Sequence, residues 1–185
     1  MSKWKTLKSK FVLDNPWCRI RQDEVELPNG EIIDDYFVRV RPDIALILPV
    51  TANDEIVFVR QYRHGVKKVV LELPAGNFYP KQEDSLVAAV REMEEETGYT
   101  ASNVAKLATL YENPGNDTST IHLFIAHDAT FKGQQKLDPT EDIEVVLIPK
   151  VEILTKISQG EICVSGTVTA LFLGLSLLSD RSLEK

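Results

Sequence analysis

Between Gly76 and Tyr99 the chain reads GNFYPKQEDSLVAAVREMEEETGY, and six of the fourteen residues from Glu83 to Glu96 are acidic. At the 100° step of a helix, Leu86, Val90, Met93 and Thr97 fall on one stripe, which predicts an amphipathic helix over 83–97 facing a core. Glu92, Glu95 and Glu96 occupy an arc about 100° wide on the other side, as i,i+3 and i,i+4 neighbours that repel one another unless a cation lies between them. Acids at the C-terminal end of a helix also oppose its macrodipole, and Gly98 has the character of the left-handed residue that ends it. Two readings of the charge pattern stand: a solvated acidic face partly neutralised by Arg91, or a divalent-cation site. Mg²⁺ suits the second, because it takes carboxylate oxygens and keeps waters and substrate phosphates as its other ligands.

The rest of the chain must supply a core for that helix to cover. CRIRQDEVEL and EIIDDYFVRV flank PNG, where Asn29-Gly30 is expected to provide the positive φ angles of a tight hairpin turn. IALILPV reads as a buried strand, and EIVFVRQYR as another after the Asn53-Asp54 turn. KLATLYE, STIHLFIAHD and IEVVLIP add three β-like runs, and a second helix is expected from about Val164 to Leu178. This order is neither all-β nor a regular alternation, so the fold class is α/β of the mixed α+β kind, sheets sandwiched with helices. Nothing in it repeats or thins into a linker.

Composition narrows the function. With 185 residues, 43% hydrophobic and 26% charged, the chain can bury a sizeable core in one domain. A formal net charge of -7 argues against nucleic acid as partner, whose phosphates call for basic surface; an anionic small molecule remains open where a cation makes one pocket positive. Cys18 and Cys163 lie far apart and match neither a disulfide framework nor a metal knuckle, so buried or idle thiols in a reducing compartment are expected. MSKWKTLKSK is basic without a following apolar stretch, and ALFLGLSLL is too short to span a bilayer; the expectation is a cytoplasmic protein with no membrane partner.

Glu83-x7-Arg91-Glu92-Met93-x-Glu95-Glu96-x-Gly98-Tyr99 resembles the Nudix box of the Nudix hydrolases, a pattern far more specific than a lone glycine motif. The resemblance implies an α/β/α sandwich with a mixed β-sheet, Mg²⁺ or Mn²⁺ at the box, and hydrolysis of a nucleoside diphosphate linked to another moiety. One departure stands out: six residues, where the family has five, separate Gly76 from Glu83. Either Glu83 pairs with Arg91 or Gln82 takes over its loop contact. RQYR at 60–63, LELPAG at 71–76 and Pro114, sixteen residues after Gly98, are similar to the ADP-ribose and ADP-sugar pyrophosphatase branch; PGNDTSTIH looks closest to the ADP-sugar form.

Carried over by position, the resemblance makes Glu92, Glu95, Glu96 and the backbone carbonyl of Ala75 the metal ligands, with Arg63 on the diphosphate and Glu72 on the substrate or its water. PTEDIEV at 139–145 resembles the mobile loop that supplies the proton acceptor, with Glu141 at the matching position, Glu144 in reserve and Glu95 next. Strand alternation alone would make Glu144 merely the polar side of IEVVLIP. Residues 1–42 would form an N-terminal β region, with an antiparallel hairpin, that dimerises; 43–185 would be the hydrolase domain. Trp17 would then stack on the base across a homodimer boundary, Tyr36 being a weaker candidate for the other face. His122, inside an apolar run, reads as a satisfied core histidine. The substrate implied is a nucleotide sugar, ADP-ribose or an ADP-sugar, yielding AMP and a sugar phosphate. GDP-mannose or another nucleotide sugar is the alternative, and a non-catalytic nucleotide-sensing domain the rival from another class.

Overall fold

The structure is a computed structural model that describes residues 2–180, with side chains as far as Leu177. Two compact units emerge, one of Met1–Pro42 with Tyr111–Thr120, the other of Asp43–Leu110 with Ile121–Lys185.

The first unit is an antiparallel sheet ordered β1 (Lys5–Asn15), β2 (Cys18–Glu26), β3 (Ile32–Arg39). β1 carries no core-facing stripe and is exposed along almost its whole length, so hydrophobic patterning does not reveal it. Its register with β2 instead sets Lys5 opposite Glu26 and Lys8 opposite Glu24, with charge contacts of 3.5 and 3.0 Å. The turn into β3 differs from expectation. Gly30 alone takes a positive φ, and the Leu27 and Glu31 backbones close a three-residue loop in which Pro28 pre-sets the first turn angle. Past β3, Asn113 to Thr118 is stitched alongside: the Arg39 amide donates to Asn116 at 2.7 Å, the Thr118 amide donates back at 3.1 Å, and the Arg39 guanidinium grips Asp117 through two bonds of 2.7 and 2.6 Å. Tyr36, considered above for base stacking, donates its hydroxyl to the Gly115 carbonyl and meets the Trp4 ring edge-on.

In the second unit a mixed sheet runs β11 (Ile143–Pro149), β5 (Glu55–Arg63), β4 (Asp43–Thr51), β10 (Thr120–Phe131), β8 (Tyr99–Thr100). β6 (Lys68–Glu72) adds to β5, β7 (Ala75–Phe78) to β4 and β9 (Asn103–Tyr111) to β10. β4 and β10 are parallel. β4 pairs with β5 only at Val50 and Ile56; below that point the two diverge, β4 taking β7 and β5 taking β6 as partner. The fork brings Glu72 and Ala75 to its mouth, joined by Leu73-Pro74. Neither short strand is legible in the sequence, since five and four residues are too few to show a period.

β4 is buried on both faces, as its continuous apolar run demands. Leu46 and Leu48 pack with Phe58, Leu123 and Leu171 on one side, covered by α2 (Ile153–Ser158) and α3 (Ser165–Asp180). Ala45 and Ile47 pack with Phe78, Ala88, Ala89 and Met93 on the other, covered by α1 (Ser85–Thr97). The result is the expected α/β/α sandwich. α1 begins two residues later than periodicity suggests, because the Asp84 carboxylate caps it by accepting the Leu86 amide at 2.8 Å; Gly98, at φ 71°, ends it. Its buried face is Ala88, Ala89, Met93, Glu96 and Thr97 while Leu86 is exposed, since two alanines let the helix lie closer to the sheet than a leucine would. Cys18 and Cys163 are free and exposed rather than buried. Among the described residues no helix is long and apolar enough to cross a membrane.

Candidate active site

A single guanidinium ties two acids of α1, Glu92 and Glu95, to Glu83 just before it. Arg91 donates to both oxygens of Glu83 at 2.9 and 3.0 Å, and its remaining nitrogen donates to Glu92 at 2.7 Å and Glu95 at 3.0 Å. The Arg91 fork holds the Glu83 carboxyl below its ordinary value, and Glu83 in turn holds Arg91 above its own. Of the two arrangements, Glu83 on Arg91 or Gln82 in its loop contact, the structure shows Glu83 paired with Arg91. The extra residue upstream is absorbed by a turn in which the amides of Gln82 and Glu83 both donate to the Tyr79 carbonyl.

Glu96 is 4% exposed, and one of its oxygens accepts the Ala75 amide at 3.0 Å. Burial pushes this carboxyl up to about 8, against the Ala75 hydrogen bond, with Glu92 and Glu141 adding to the shift and Arg63 opposing it. Glu92 is also raised by burial, more than the Arg91 contact offsets. A Cβ built on Gly76 would overlap the Glu92 carboxylate, so β7 passes directly beneath that side chain, which only a residue without a Cβ permits. Among the described residues no three acidic, histidine or cysteine side chains already converge as a cation cage. Arg91 draws Glu92 and Glu95 to itself. The donor chemistry nonetheless fits a divalent ion: hard carboxylate oxygens, two of them on carboxyls that resist ionising, in excess of the one guanidinium that serves them.

Around this end of the helix the structure gathers most of the predicted residues. Arg63, closing β5, donates through Nε to Glu72 at 2.7 Å and lies within electrostatic reach of Glu96. Glu141 lies within reach of both Glu92 and Glu96. Its carboxylate accepts the Asp138 amide at 2.9 Å, and its own amide donates to the Asp138 carbonyl at 2.9 Å. Glu144 stands apart: directly across from Arg60 in the ladder and paired with it at 2.9 Å, it occupies the sheet face opposite Arg63. Trp17 belongs to the first unit, at the β1–β2 turn, and is 88% exposed. His122 packs edge-on against Phe78 at 5.1 Å with Nε2 3.5 Å from Asp43.

Sequence reasoning missed Gly76 as the floor under Glu92, and it missed Gln135. The latter's carboxamide donates to the carbonyls of Glu96 at 2.6 Å and Ile143 at 3.1 Å. The only signal for it was general: the last carbonyls of a helix need donors from somewhere.

A family model described as the NUDIX domain matches residues 40–162, and one described as the nucleoside diphosphate sugar hydrolase N-terminal domain matches residues 4–38. A methanol dehydrogenase activator from Bacillus methanolicus is 34% identical over 167 residues, covering 90% of this chain and 89% of that protein. An ADP-ribose pyrophosphatase from Bacillus subtilis (strain 168) is 30% identical over 168 residues, 90% of each. A crystal structure of an ADP compounds hydrolase matches with a TM-score of 0.87 over 98% of this chain and 97% of its own, at 23% identity, and so shares the fold.

Proposed function

The chain belongs to the Nudix family of hydrolases, enzymes that use divalent metal ions, and from that premise we propose that it cleaves the pyrophosphate bond of ADP-ribose or a related ADP-sugar, giving AMP and a sugar phosphate. The observation that carries the reading is the meeting of Glu92 and Glu96 with β7 at the fork of the sheet, beside Arg63 and Glu141. Glu92, Glu95, Glu96 and the Ala75 carbonyl would hold Mg²⁺, with Mn²⁺ able to replace it. The ion supplies Lewis-acid polarisation of the phosphoryl oxygens and spreads the charge that develops on them.

The chain's own groups do the remainder. Arg63 presents a planar fork to the diphosphate, and Glu72, bonded to its Nε, sets the plane of that fork. Glu141 takes the proton from the attacking water at the carboxylate oxygen that does not accept the Asp138 amide. Trp17 offers its exposed ring to the base from the partner protomer of a homodimer. A ring face accepts any base, so GDP-mannose stays as the alternative substrate. The three glutamates assigned to the metal, Glu92, Glu95 and Glu96, are all present, which favours catalysis over the non-catalytic alternative. The setting proposed is the cytoplasm.

A panel of ADP-ribose, ADP-glucose, GDP-mannose and UDP-glucose with Mg²⁺, with products resolved by chromatography, tests the reading. AMP release from the ADP compounds at the highest kcat/KM is expected; preference for GDP-mannose would transfer the assignment, and no turnover of any of them would remove it.

A further inference from the structure

The segment that carries Glu141, residues 132–142, lies between β10 and β11 and belongs to no strand. Lys136 and Asp138 to Thr140 are exposed, and through Gln135 and Leu137 the segment walls one side of a cavity of about 880 Å³ that Tyr99, Phe131, Val145 and Leu147 close on the other. Little apolar packing holds an exposed stretch beside a cavity, and hydrogen bonds to the end of α1 tie it down. The Lys132 amide donates to the Gly98 carbonyl at 2.9 Å and the Lys136 amide to the Glu95 carbonyl at 2.8 Å. Between them the Gln135 side chain donates to the Glu96 carbonyl at 2.6 Å and, across the segment, to the Ile143 carbonyl at 3.1 Å where β11 begins. Both partners are acceptors, so only the NH₂ end of the carboxamide can face them.

We infer that Gln135 is a positioning residue for the reaction: one carboxamide fastens both ends of the segment bearing Glu141 to the backbone of Glu96, and so fixes how Glu141 faces Glu92 and Glu96. This rests on Glu141 being the proton acceptor. Every other bond along the segment reaches a single point, whereas Gln135 joins the end of α1 to the start of β11 and closes the stretch 136–142 into a loop of defined span. Loss of the clamp leaves the segment held to α1 by the Lys132 and Lys136 amides, with no bond from α1 to the start of β11, and the carboxylate by its own turn with Asp138. Misplacing a catalytic group by about 1 Å costs on the order of 10²-fold, without altering how the substrate binds elsewhere.

The test is a double-mutant cycle on the full chain with Mg²⁺ and the best substrate of the panel, using Gln135→Ala, the isosteric Gln135→Glu, which replaces the donors by acceptors, and Glu141→Gln. Expected for both Gln135 variants is a fall in kcat of roughly 10- to 100-fold with KM within about 2-fold, yet no more than about a further 2-fold loss when Glu141 is already Gln. Gln135→Lys, whose ammonium can donate to both carbonyls, should recover most of the lost kcat. Amide hydrogen exchange across 136–141 should quicken in Gln135→Ala while α1 keeps its protection. An equal fold-loss in the parent and Glu141→Gln backgrounds would mean a merely structural role and overturn the inference. So would an unchanged kcat in Gln135→Ala beside a slow Glu141→Gln, leaving the assignment of the proton acceptor intact. If Glu141→Gln is as fast as the parent, that assignment falls and the inference with it.

Discussion

A carboxylate gains nothing by being buried, and at Glu96 the imbalance is visible: one backbone amide and a distant Arg63 face a group that is 4% exposed and held near 8. The proposed metal role would account for stability given up at this position, and it leads to a double expectation. Glu96→Gln should lower kcat by at least about 10²-fold, the scale on which loss of a group acting on the transition state is felt. The same change should raise the melting temperature of the metal-free protein, by about 2–4 °C for each kcal/mol of relieved desolvation in a chain of this size. Pyrophosphate hydrolysis and calorimetry in EDTA check the two halves. Gly76 invites a complementary test. Its neighbour is the far end of a flexible side chain, so Gly76→Ala can fold by swinging the Glu92 carboxylate aside. Activity should then collapse with little change in melting temperature, and an active Gly76→Ala would show that Glu92 is not needed where it lies.

At the scale of elements, α1 and the segment after β10 meet end to end, and the candidate proton acceptors separate by which of them carries each group. Glu141→Gln should lower kcat by roughly 10² to 10⁴, the usual effect of losing a general base, with metal affinity nearly unchanged. Glu144→Gln, which breaks only a surface pair with Arg60, should be close to neutral. Steady-state kinetics on the two decide, and the reverse pattern would move the assignment three residues along. The sheet of β1 to β3 has its own electrostatic keystone in Asp23. Burial works against its ionised form, but hydrogen bonds from Arg21 at 2.9 Å and Ser9 at 2.6 Å, with the Arg21 charge, outweigh that and hold its carboxyl below the ordinary 3.8. A depressed carboxyl contributes stability above its unfolded value and loses it as pH falls through the folded one. Asp23→Asn should therefore melt below the parent at pH 7, with the gap closing as the pH drops below about 3.8. Melting curves from pH 7 to pH 2.5 measure it; a gap that is constant with pH would mean that the carboxylate's charge is not what matters.

For the molecule as a whole, the first unit leaves Trp4, Phe11, Val12, Leu13, Trp17, Ile32 and Phe37 exposed, the kind of apolar surface that a partner covers. A homodimer that covers part of it is the expected state in solution. Trp17→Ala should raise KM more than it lowers kcat, since a stacking ring binds ground and transition states alike. Light scattering at micromolar concentration and the kinetics of that variant check both; a monomer with unaltered KM would remove the partner protomer from the site.

Periodicity and side-chain chemistry, both local, made the acidic helix, the doubly buried strand β4 and the strands β5 and β10 legible from sequence, because a buried face imposes a repeat of 3.6 or 2 on the residues that form it. The same locality exposed the excess of carboxylate at 92, 95 and 96. What no local pattern encodes is partnership over distance. β1 exists through its ladder with β2 and has no buried stripe to announce it. The fork between β4 and β5, which sets Ala75 and Gly76 under the helix, arises from which strand each half of β4 chooses, with two short strands that leave no periodic trace. Glu83 reaches Arg91 only because α1 begins at Ser85 behind an aspartate cap, and Gln135 finds Glu96 only because β10 ends beside Gly98. The helix and its charges follow from residue order alone; which backbone lies against which carboxylate follows from packing, since a hydrogen bond across 39 residues depends on everything between its ends.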